Sequence, residues 1–388
     1  MALDLIGFGI ILPVLPRFAE DSGASPTTAG FLVASFSIAQ LLCSPLWGRV
    51  SDRIGRKPVL IVSLVGTAIG SLLTGLAGSV LLLLFIGRIV DGASGASVSV
   101  AQAAVADIAA PEDRPRLLGL LGAAFGAGFA LGPAIGGLAA LVDHRLPFFV
   151  AAAIAAVNAV AAIRRLPETH PDRSGVNQLA YANSVTPERD GPTQEVAARG
   201  QLLQLVLVMF IAVVAFSAFE ATFSLLTKAR FELSESGTYG VFFVIGIALV
   251  VVQGALIHPV TSLLGETKTI RVGLAANALG LVLVALDSGW VTLAPGLLFL
   301  VMGQGLLAPT LASAVAGRAR RDRRGATLGF QQSAGGLARV VGPLLGGALF
   351  QHVGIASPYV VGAGLAVVAL VFVPSRTPSE VERVPSNL

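Results

Sequence analysis

The sequence predicts an all-α membrane protein with twelve transmembrane helices, arranged as two six-helix bundles. Hydrophobic residues make up 54% of the 388 residues and charged residues only 12%, too few to cover the surface of a soluble fold of this size. Twelve apolar stretches follow one another, each with about the 20 residues that a helix needs to cross a hydrocarbon core of roughly 30 Å. The second half of the chain also repeats features of the first.

The predicted spans share a continuous apolar sequence, bounded by segments rich in charge, proline or glycine. In chain order they are 1–18, 29–48, 58–77, 80–104, 117–140, 147–163, 201–226, 237–257, 270–286, 290–315, 326–350 and 357–374. They are too long for the strands of a membrane barrel and lack the alternation of those strands. Each is therefore assigned to a helix.

The distribution of Lys and Arg predicts the topology. If the loop at 49–57 faces the cytoplasm, that side holds 20 basic residues and the outer loops hold four. This positive-inside bias places both termini in the cytoplasm. Arg outnumbers Lys by 23 to 3, which indicates a GC-rich bacterial genome. We therefore expect a multi-pass protein of the bacterial cytoplasmic (inner) membrane. The net charge of +4 follows from this topology and does not indicate nucleic-acid binding.

Cysteine and histidine usage argues against several kinds of site. Cys43 is the only cysteine, so no intrachain disulfide can form, and the four histidines are scattered. We expect no metal, no cofactor and a monomer surrounded by membrane lipid.

The chain repeats itself with a constant shift of 210 residues. Residues 114–140 and 324–350 share 9 of 27 positions, and the same shift places Gly55 on Gly265. Two halves with the same topology form a parallel repeat, with the substrate bound between them near the membrane midplane. The predicted divisions are an N-terminal bundle (1–163), a cytoplasmic linker (164–200), a C-terminal bundle (201–374) and a cytoplasmic tail (375–388).

A charged turn follows the second span, with the sequence GRVSDRIGRKPVLI. Gly55 can adopt a left-handed conformation there. One interpretation is a basic anchor at the inner membrane surface. The other is a latch, in which Asp52 pairs across the interface of the two bundles in one state only. The gating residues predicted in this turn are Gly48, Asp52, Arg53, Gly55, Arg56 and Lys57.

The fifth span contains the sequence GFALGPAIGG. A Gly-Pro step frees backbone groups and bends a membrane helix, while glycines permit close packing. A general packing face is one interpretation, and a motif specific to exporters is the other. The residues concerned are Gly128, Gly132, Pro133, Gly136 and Gly137.

Ionisable side chains inside the spans are the strongest functional signal, because an unpaired charge in the membrane interior costs several kcal/mol. Arg88 and Asp91 lie three residues apart on the fourth span, so they can form a local ion pair. With Gly95, Ser99 and Gln102 they fall within an arc of about 80° on this helix, which predicts one polar face. The pair either serves function or only neutralises itself. Glu220 has no basic neighbour within one turn, and burial favours its protonated form, as a proton carrier or as a structural hydrogen-bond donor.

These segments together resemble the major facilitator superfamily, and within it the twelve-helix drug:proton antiporters that include the tetracycline exporters. The turn at 48–61 is similar to the signature loop, GFALGPAIGG looks like the antiporter motif, and LDLIGFGIILPVLP and GRIVDGASGAS resemble the motifs of helices 1 and 4. The resemblance implies the major facilitator fold, export, and proton coupling by Asp4 together with Arg88. The tetracycline exporters carry an acid in helix 3, where this chain has Gly70, so chelated tetracycline is a poor candidate substrate.

The resulting hypothesis is a proton-driven exporter of amphipathic small molecules. The alternatives are a proton-coupled symporter that imports a small metabolite, and a membrane enzyme or receptor, for which the sequence has no catalytic grouping or soluble domain. An apolar cavity would bind substrates by buried area. The residues predicted to line it are Phe36, Gln40, Ser99, Gln102, Phe216, Phe219, Phe223, Gln304, Gln332 and Arg339.

Overall fold

The structure is a computed structural model that describes residues 2–108, 124, 128, 131–169, 192–286, 289–318 and 324–374. Its regular elements are helices, which confirms the all-α prediction. In chain order they are α1 (Ala2–Ile11), α2 (Leu15–Asp21), α3 (Pro26–Ile54), α4 (Arg56–Leu76), α5 (Leu81–Ser94), α6 (Ser97–Ile108), α7 (Leu131–Ala140), α8 (Leu146–Arg165), α9 (Pro192–Phe231), α10 (Glu235–Val251), a π-helical turn (Val252–Leu256), α11 (Ile257–Ala285), α12 (Trp290–Arg318), α13 (Arg324–His352) and α14 (Ser357–Phe372).

Eight helical segments among the described residues are long and apolar enough to cross a membrane. One of them, Glu235–Ala285, contains 51 residues, so it accounts for two predicted spans. The helices α7 and α14 are apolar but shorter, and most of the fifth predicted span before residue 131 lies outside the described residues. The chain is a multi-pass membrane protein.

Two predicted spans are interrupted in the structure. The first divides into α1 and α2, which are separated by a turn that contains Pro13. Proline has no backbone N–H to donate, so it ends a regular helix. The fourth divides into α5 and α6 at Gly95, whose φ of −68° and ψ of 54° are not helical. The predicted polar arc on the fourth span assumed one continuous helix and is therefore wrong beyond Ser94.

The chain divides into two compact units by internal contacts. One contains residues 1–189 and 220–246, and the other contains residues 190–219 and 247–388. Residues 220–246 were predicted to belong to the C-terminal bundle, yet their contacts lie mainly in the first unit. The predicted bundle boundaries remain a prediction.

Similar close helix crossings occur in the two units, and Gly280 in the second lies 210 residues after Gly70 in the first. In the first unit, a Cβ atom added to Gly70 on α4 would lie 2.7 Å from the carbonyl oxygen of Gly87 on α5. In the second unit, a Cβ atom added to Gly280 on α11 would lie 2.7 Å from the carbonyl oxygen of Gly296 on α12. Each unit thus contains the same small-residue crossing, as expected where helices pack by backbone approach in lipid.

Candidate functional site

A buried ion pair lies on α5. The Arg88 Nη1 atom donates to Asp91 Oδ2 at 2.9 Å, and the two side chains are only 2% and 8% exposed. The guanidinium carbon also lies 4.4 Å from the ring centroid of Phe36 on α3, which is a cation–π contact. Among the described residues, the Arg88 Nε atom has no hydrogen-bond acceptor. The predicted pair is therefore present, and its arginine keeps one buried donor available.

Helix α4 leaves no space for another side chain beside this pair. A Cβ atom on Gly70 would lie 2.7 Å from the Cβ atom of Asp91. Such a distance is shorter than normal van der Waals contact, so an acid at position 70 cannot coexist with Asp91 in this packing. In this chain the carboxylate at the α4–α5 crossing comes from α5.

Side chains from neighbouring helices bind the backbone groups exposed by the α5–α6 break. Gln40 donates to the Gly95 carbonyl at 3.0 Å, and Trp47 donates to the Ala93 carbonyl at 2.6 Å. The Ala96 N–H donates to Ser63 Oγ at 3.2 Å. Irregular backbone at membrane depth requires such internal partners. Gln40, predicted to line the cavity, stabilises this break.

The side chain of Asp4, which is on α1, lies beside the beginning of α6. The Ser97 hydroxyl, on the first residue of that helix, donates to the Asp4 carboxylate. A helix N-terminus favours a negative charge because its first N–H groups have no intrahelical acceptor. The break in the fourth span therefore gives the predicted acid Asp4 a hydrogen-bond donor at the start of α6, the helix that follows the Arg88–Asp91 pair on α5. Sequence reasoning did not identify Ser97.

Glu220 lies on α9 and is half-buried. It belongs to the first compact unit, together with the Arg88 group. Its role as a proton carrier remains a prediction.

The charged turn after α3 contains a network centred on Arg56. Its side chain is 11% exposed, and it donates to Asp52 at 2.6 Å and to Asp107 on α6 at 2.8 Å. The Glu168 carboxylate accepts hydrogen bonds from the backbone N–H groups of Arg56 and Lys57 at 2.8 and 3.3 Å. An acid at this position caps the first turn of α4. In this structure Asp52 pairs within its own turn, and its predicted pairing across the bundle interface remains a prediction.

The predicted conformation of Gly55 is confirmed. Its φ is 105° and its ψ is 163°, a region that only glycine adopts readily. The helix α3 continues to Ile54 and α4 begins at Arg56, so the predicted loop is reduced to this residue. A Cβ atom here would lie 2.3 Å from Glu168 Oε2.

We expect Gly55→Ala to lower the stability of the purified protein by about 1–3 kcal/mol, because the backbone is strained and the Glu168 cap is displaced. Thermal unfolding in detergent measures this. Gly48→Ala, on the same turn, has nothing within 4 Å of its added Cβ and is the control. Equal stabilities for the two variants would contradict the interpretation.

A cavity of about 230 Å³ lies beside this turn. It is half-open and is lined by Gly48, Asp52 and Ser99 among others. Drug-sized ligands occupy roughly 300–1,000 Å³. This space is therefore too small for the predicted substrate, and Ser99 borders the charged turn.

The glycines of the antiporter motif lie against the first span. A Cβ atom on Gly128 would lie 2.6 Å from the backbone carbon of Leu5, and one on Gly132 would lie 2.6 Å from the backbone carbon of Gly9. Pro133 is buried beside them. These glycines thus permit backbone contact with the helix that carries Asp4, and the role of the segment as an antiporter motif remains a prediction.

The other motif glycines contact Tyr239 on α10. Cβ atoms on Gly136 and Gly137 would lie 2.6 and 2.9 Å from its side chain. The Tyr239 hydroxyl donates to the Ile10 carbonyl at 3.0 Å and is buried. Tyr239, which sequence reasoning missed, therefore joins α10 to both the antiporter motif and α1.

Two of the four basic residues predicted to lie outside have partners near Tyr239 or the end of α2. Lys228 Nζ contacts Glu20 Oε2 at 2.8 Å and Asp21 Oδ1 at 2.5 Å. Arg17 donates to the Leu233 carbonyl. We name these contacts, with Tyr239 to Ile10, the outer clamp. A third of the four, Arg145, donates through its backbone N–H to Asp143 at 2.7 Å.

The phenylalanines of α9 that were predicted to line the substrate cavity are packed in the interior of the protein. Phe219 and Phe223 are 1% and 0% exposed, and they contact Tyr359 and Phe242 respectively. Phe216 is 9% exposed and contacts Phe219. These three rings are buried, and their predicted role in lining a substrate cavity remains a prediction.

The remaining cavity candidates differ in exposure. Gln102 is half-buried, Gln304 accepts a hydrogen bond from Asn277 at 3.3 Å, and Gln332 and Arg339 are exposed. Arg53 is exposed in the charged turn. Their roles in binding or gating remain predictions.

The membrane-spanning helices and the buried charge group are those expected of a multi-pass membrane transporter. Residues 1–262 and 256–387 match the model of the Major Facilitator Superfamily, and the chain belongs to that family. The predicted superfamily resemblance and fold are confirmed.

The chain is similar over nearly its full length to tetracycline and multidrug resistance proteins. It is 33% identical to the class C tetracycline resistance protein of Escherichia coli over 381 residues, covering 95% of this chain and 93% of that protein. It is 31% identical to multidrug resistance protein 2 of Bacillus subtilis over 373 residues, covering 94% and 91%. The superfamily that the chain belongs to is one of transporters, so the prediction that the protein is not an enzyme is confirmed.

Two solved structures are similar as well. The human organic anion transporter MFSD10 has a TM-score of 0.71 at 27% identity, covering 96% of each chain. The nucleoside transporter NupG has a TM-score of 0.70, covering 96% of each chain, but its 14% identity supports the fold alone.

Proposed function

We propose that the protein exports amphipathic small molecules in exchange for protons, by alternating access across the bacterial inner membrane. The buried Arg88–Asp91 pair, with Asp4 at the adjacent helix break, is the observation that carries this proposal. The tetracycline and multidrug resistance proteins among its relatives support the direction of transport.

The charge group supplies a means of coupling. Taking up one proton at Asp91 removes the negative charge that pairs with Arg88, which has no other charged partner among its described contacts. An unpaired buried charge is costly, so the guanidinium must then find another acceptor. A second acid or a bound substrate would supply it, which links protonation to rearrangement.

A cell assay tests the proposed activity directly. Cells with and without the protein are loaded with a panel of cationic dyes, tetracycline and organic anions, with and without an uncoupler. We expect lower accumulation of at least one amphipathic compound in expressing cells, and loss of that difference when the uncoupler is present. Higher accumulation in expressing cells would support the import of a metabolite, and an uncoupler-insensitive difference would exclude proton coupling.

Glu220→Gln is expected to abolish this active efflux while the protein remains folded and inserted, because the amide cannot release a proton. Efflux of the best dye and thermal unfolding are measured together. Glu232→Gln changes an exposed acid beyond the same helix and is the control. Normal pH-dependent efflux in Glu220→Gln would exclude this residue as a carrier.

The outer clamp is proposed to close the outer side during the cycle. In the predicted division, Lys228 belongs to the C-terminal bundle while Glu20 and Asp21 belong to the N-terminal bundle. Breaking the clamp should therefore favour opening toward the outside.

Lys228→Met is expected to expose Ala221, which is 2% exposed in a core cluster with Tyr239. Replacing Cys43 with serine removes the native thiol, and Ala221→Cys then reports access to an external thiol reagent. The ion pairs are partly exposed and worth at most about 1 kcal/mol, so we expect roughly five-fold faster labelling. Lys268→Met is the control, and unchanged labelling in Lys228→Met would contradict a gating role.

A further inference from the structure

The second half of the chain retains the turn of the first half with its charges exchanged. Under the 210-residue shift, Gly55 corresponds to Gly265 and Arg56 corresponds to Glu266. Sequence comparison alone gives the impression that the second turn lost its function, because its acid and most of its arginines are absent. The structure shows that the backbone of the turn is kept: Gly55 has φ 105° and ψ 163°, and Gly265 has φ 76° and ψ 164°.

The residue after each glycine faces an opposite charge near the end of a later helix. In the first unit, Arg56 donates to Asp107 on α6 at 2.8 Å. In the second unit, Glu266 Oε2 lies 4.0 Å from Arg318 Nη1 at the end of α12. The shift places Asp107 on residue 317, directly before Arg318. The acid and the base have therefore exchanged positions between the two halves.

Further contacts hold the second pair in place. Ser313 donates to Glu266 Oε1 at 2.7 Å. The Arg318 side chain is 5% exposed; its Nη1 atom also donates to the Ala314 carbonyl at 2.9 Å, and its Nε atom donates to Gln201 at 3.4 Å. Burial lowers the pKa of Arg318, and the charge of Glu266 opposes that shift. A guanidinium this deeply buried needs a negative partner.

A local difference explains why the exchange is tolerated. The first turn has Asp52, which pairs with Arg56 at 2.6 Å, and the shift places Ser262 at the corresponding position. An acid at position 56 would face Asp52 as a like charge. Glu266 has no such neighbour at position 262.

We propose that Glu266 and Arg318 form a second, charge-inverted latch, which binds the Gly265 turn to the end of α12. The latch makes α11 and α12 move as one body at the end of the C-terminal bundle predicted to face the cytoplasm. Its effect on transport rests on the proposed function, but the existence of the latch does not.

A double-mutant cycle on the purified full-length protein tests the latch. We expect Glu266→Gln and Arg318→Gln each to lower the unfolding temperature by about 2–4 °C, and the double variant to lose no more than the larger single loss. The exchanged variant, Glu266→Arg with Arg318→Glu, should regain at least half of that loss. Lys268→Gln, an exposed charge in the same turn, should change the unfolding temperature by less than about 1 °C.

The outcomes separate the latch from the transport proposal. Additive losses in the double variant, or no loss in either single variant, would overturn the latch. If unfolding shows coupling, slower dye efflux in the single variants and partial recovery in the exchanged variant would place the latch in the transport cycle. Absent efflux in the unmodified protein would defeat the proposed function and leave the unfolding result valid.

Discussion

Arg88→Ala is expected to reduce proton-driven efflux to the level of cells that lack the protein. Arg88 is 2% exposed and pairs with Asp91 at 2.9 Å, so its loss leaves a buried carboxylate without its cation. Removing one partner of a buried pair costs about 3–5 kcal/mol if the other stays charged. Asp91 can avoid that cost by holding a proton, which preserves the fold and ends coupling. Efflux and thermal unfolding, measured on the same preparation, check both parts.

Matched variants define what Arg88 contributes. Arg88→Lys keeps the charge but loses the planar donor set and should retain only part of the activity. Asp91→Asn keeps this position permanently neutral, so it should likewise lose proton-driven efflux and its pH dependence. The double variant Arg88→Ala with Asp91→Ala should be at least as stable as Arg88→Ala alone, because no buried charge remains unpaired. If the Arg88→Ala protein keeps pH-dependent efflux at the normal rate, this pair is not part of the mechanism.

Gly132→Val is expected to have the second-largest effect, namely loss of transport together with a lower unfolding temperature. Even a single Cβ atom at this position would lie 2.6 Å from the Gly9 backbone, which cannot move aside as a flexible side chain could. The helices α1 and α7 must therefore separate, and Asp4 on α1 moves with them. Overpacking of this kind costs typically 1–3 kcal/mol.

The control for this steric argument is Gly240→Val on α10, because nothing lies within 4 Å of a Cβ atom added there. It should leave both transport and the unfolding temperature close to normal. In the second half, a Cβ atom added to Gly342 would lie 2.7 Å from the Ser217 Cβ atom and 2.8 Å from the Val214 carbonyl oxygen. Gly342→Val should therefore lower the unfolding temperature as well. A fully active Gly132→Val protein would show that the close approach to Gly9 is not required.

Much of the fold could be predicted because its causes are local in sequence. Lipid requires long apolar helices, and the spans follow from that requirement alone. The unusual backbone at Gly55 follows from a glycine between two helical segments. The Arg88–Asp91 pair follows from a spacing of three residues on one helix.

Other features depend on contacts that no local pattern shows. The helix break at Gly95 exists because Gln40, Trp47 and Ser63 supply hydrogen bonds from other helices. Without those partners the same residues would favour a continuous helix, which is what periodicity predicted. Asp4 therefore meets Ser97 through a tertiary arrangement that only the structure shows.

The aromatic residues illustrate the same limit. A phenylalanine in a span has the same sequence signature whether it lines a cavity or packs in a core. Phe223 is fully buried against Phe242, which the apolar pattern around it did not distinguish from a lining position. Conversely, Lys228 was counted only as a topology signal, and the structure gives it two carboxylate partners.

Transport by the purified protein in sealed vesicles, under an imposed pH gradient, tests the central claim most directly. We expect a dye identified in cells to move opposite to the direction of proton flow, and collapse of the gradient to stop that movement. Vesicles that contain the Arg88→Ala protein should show neither dye movement nor proton movement. Dye moving in the same direction as protons, or moving equally well with no gradient, would contradict the central claim.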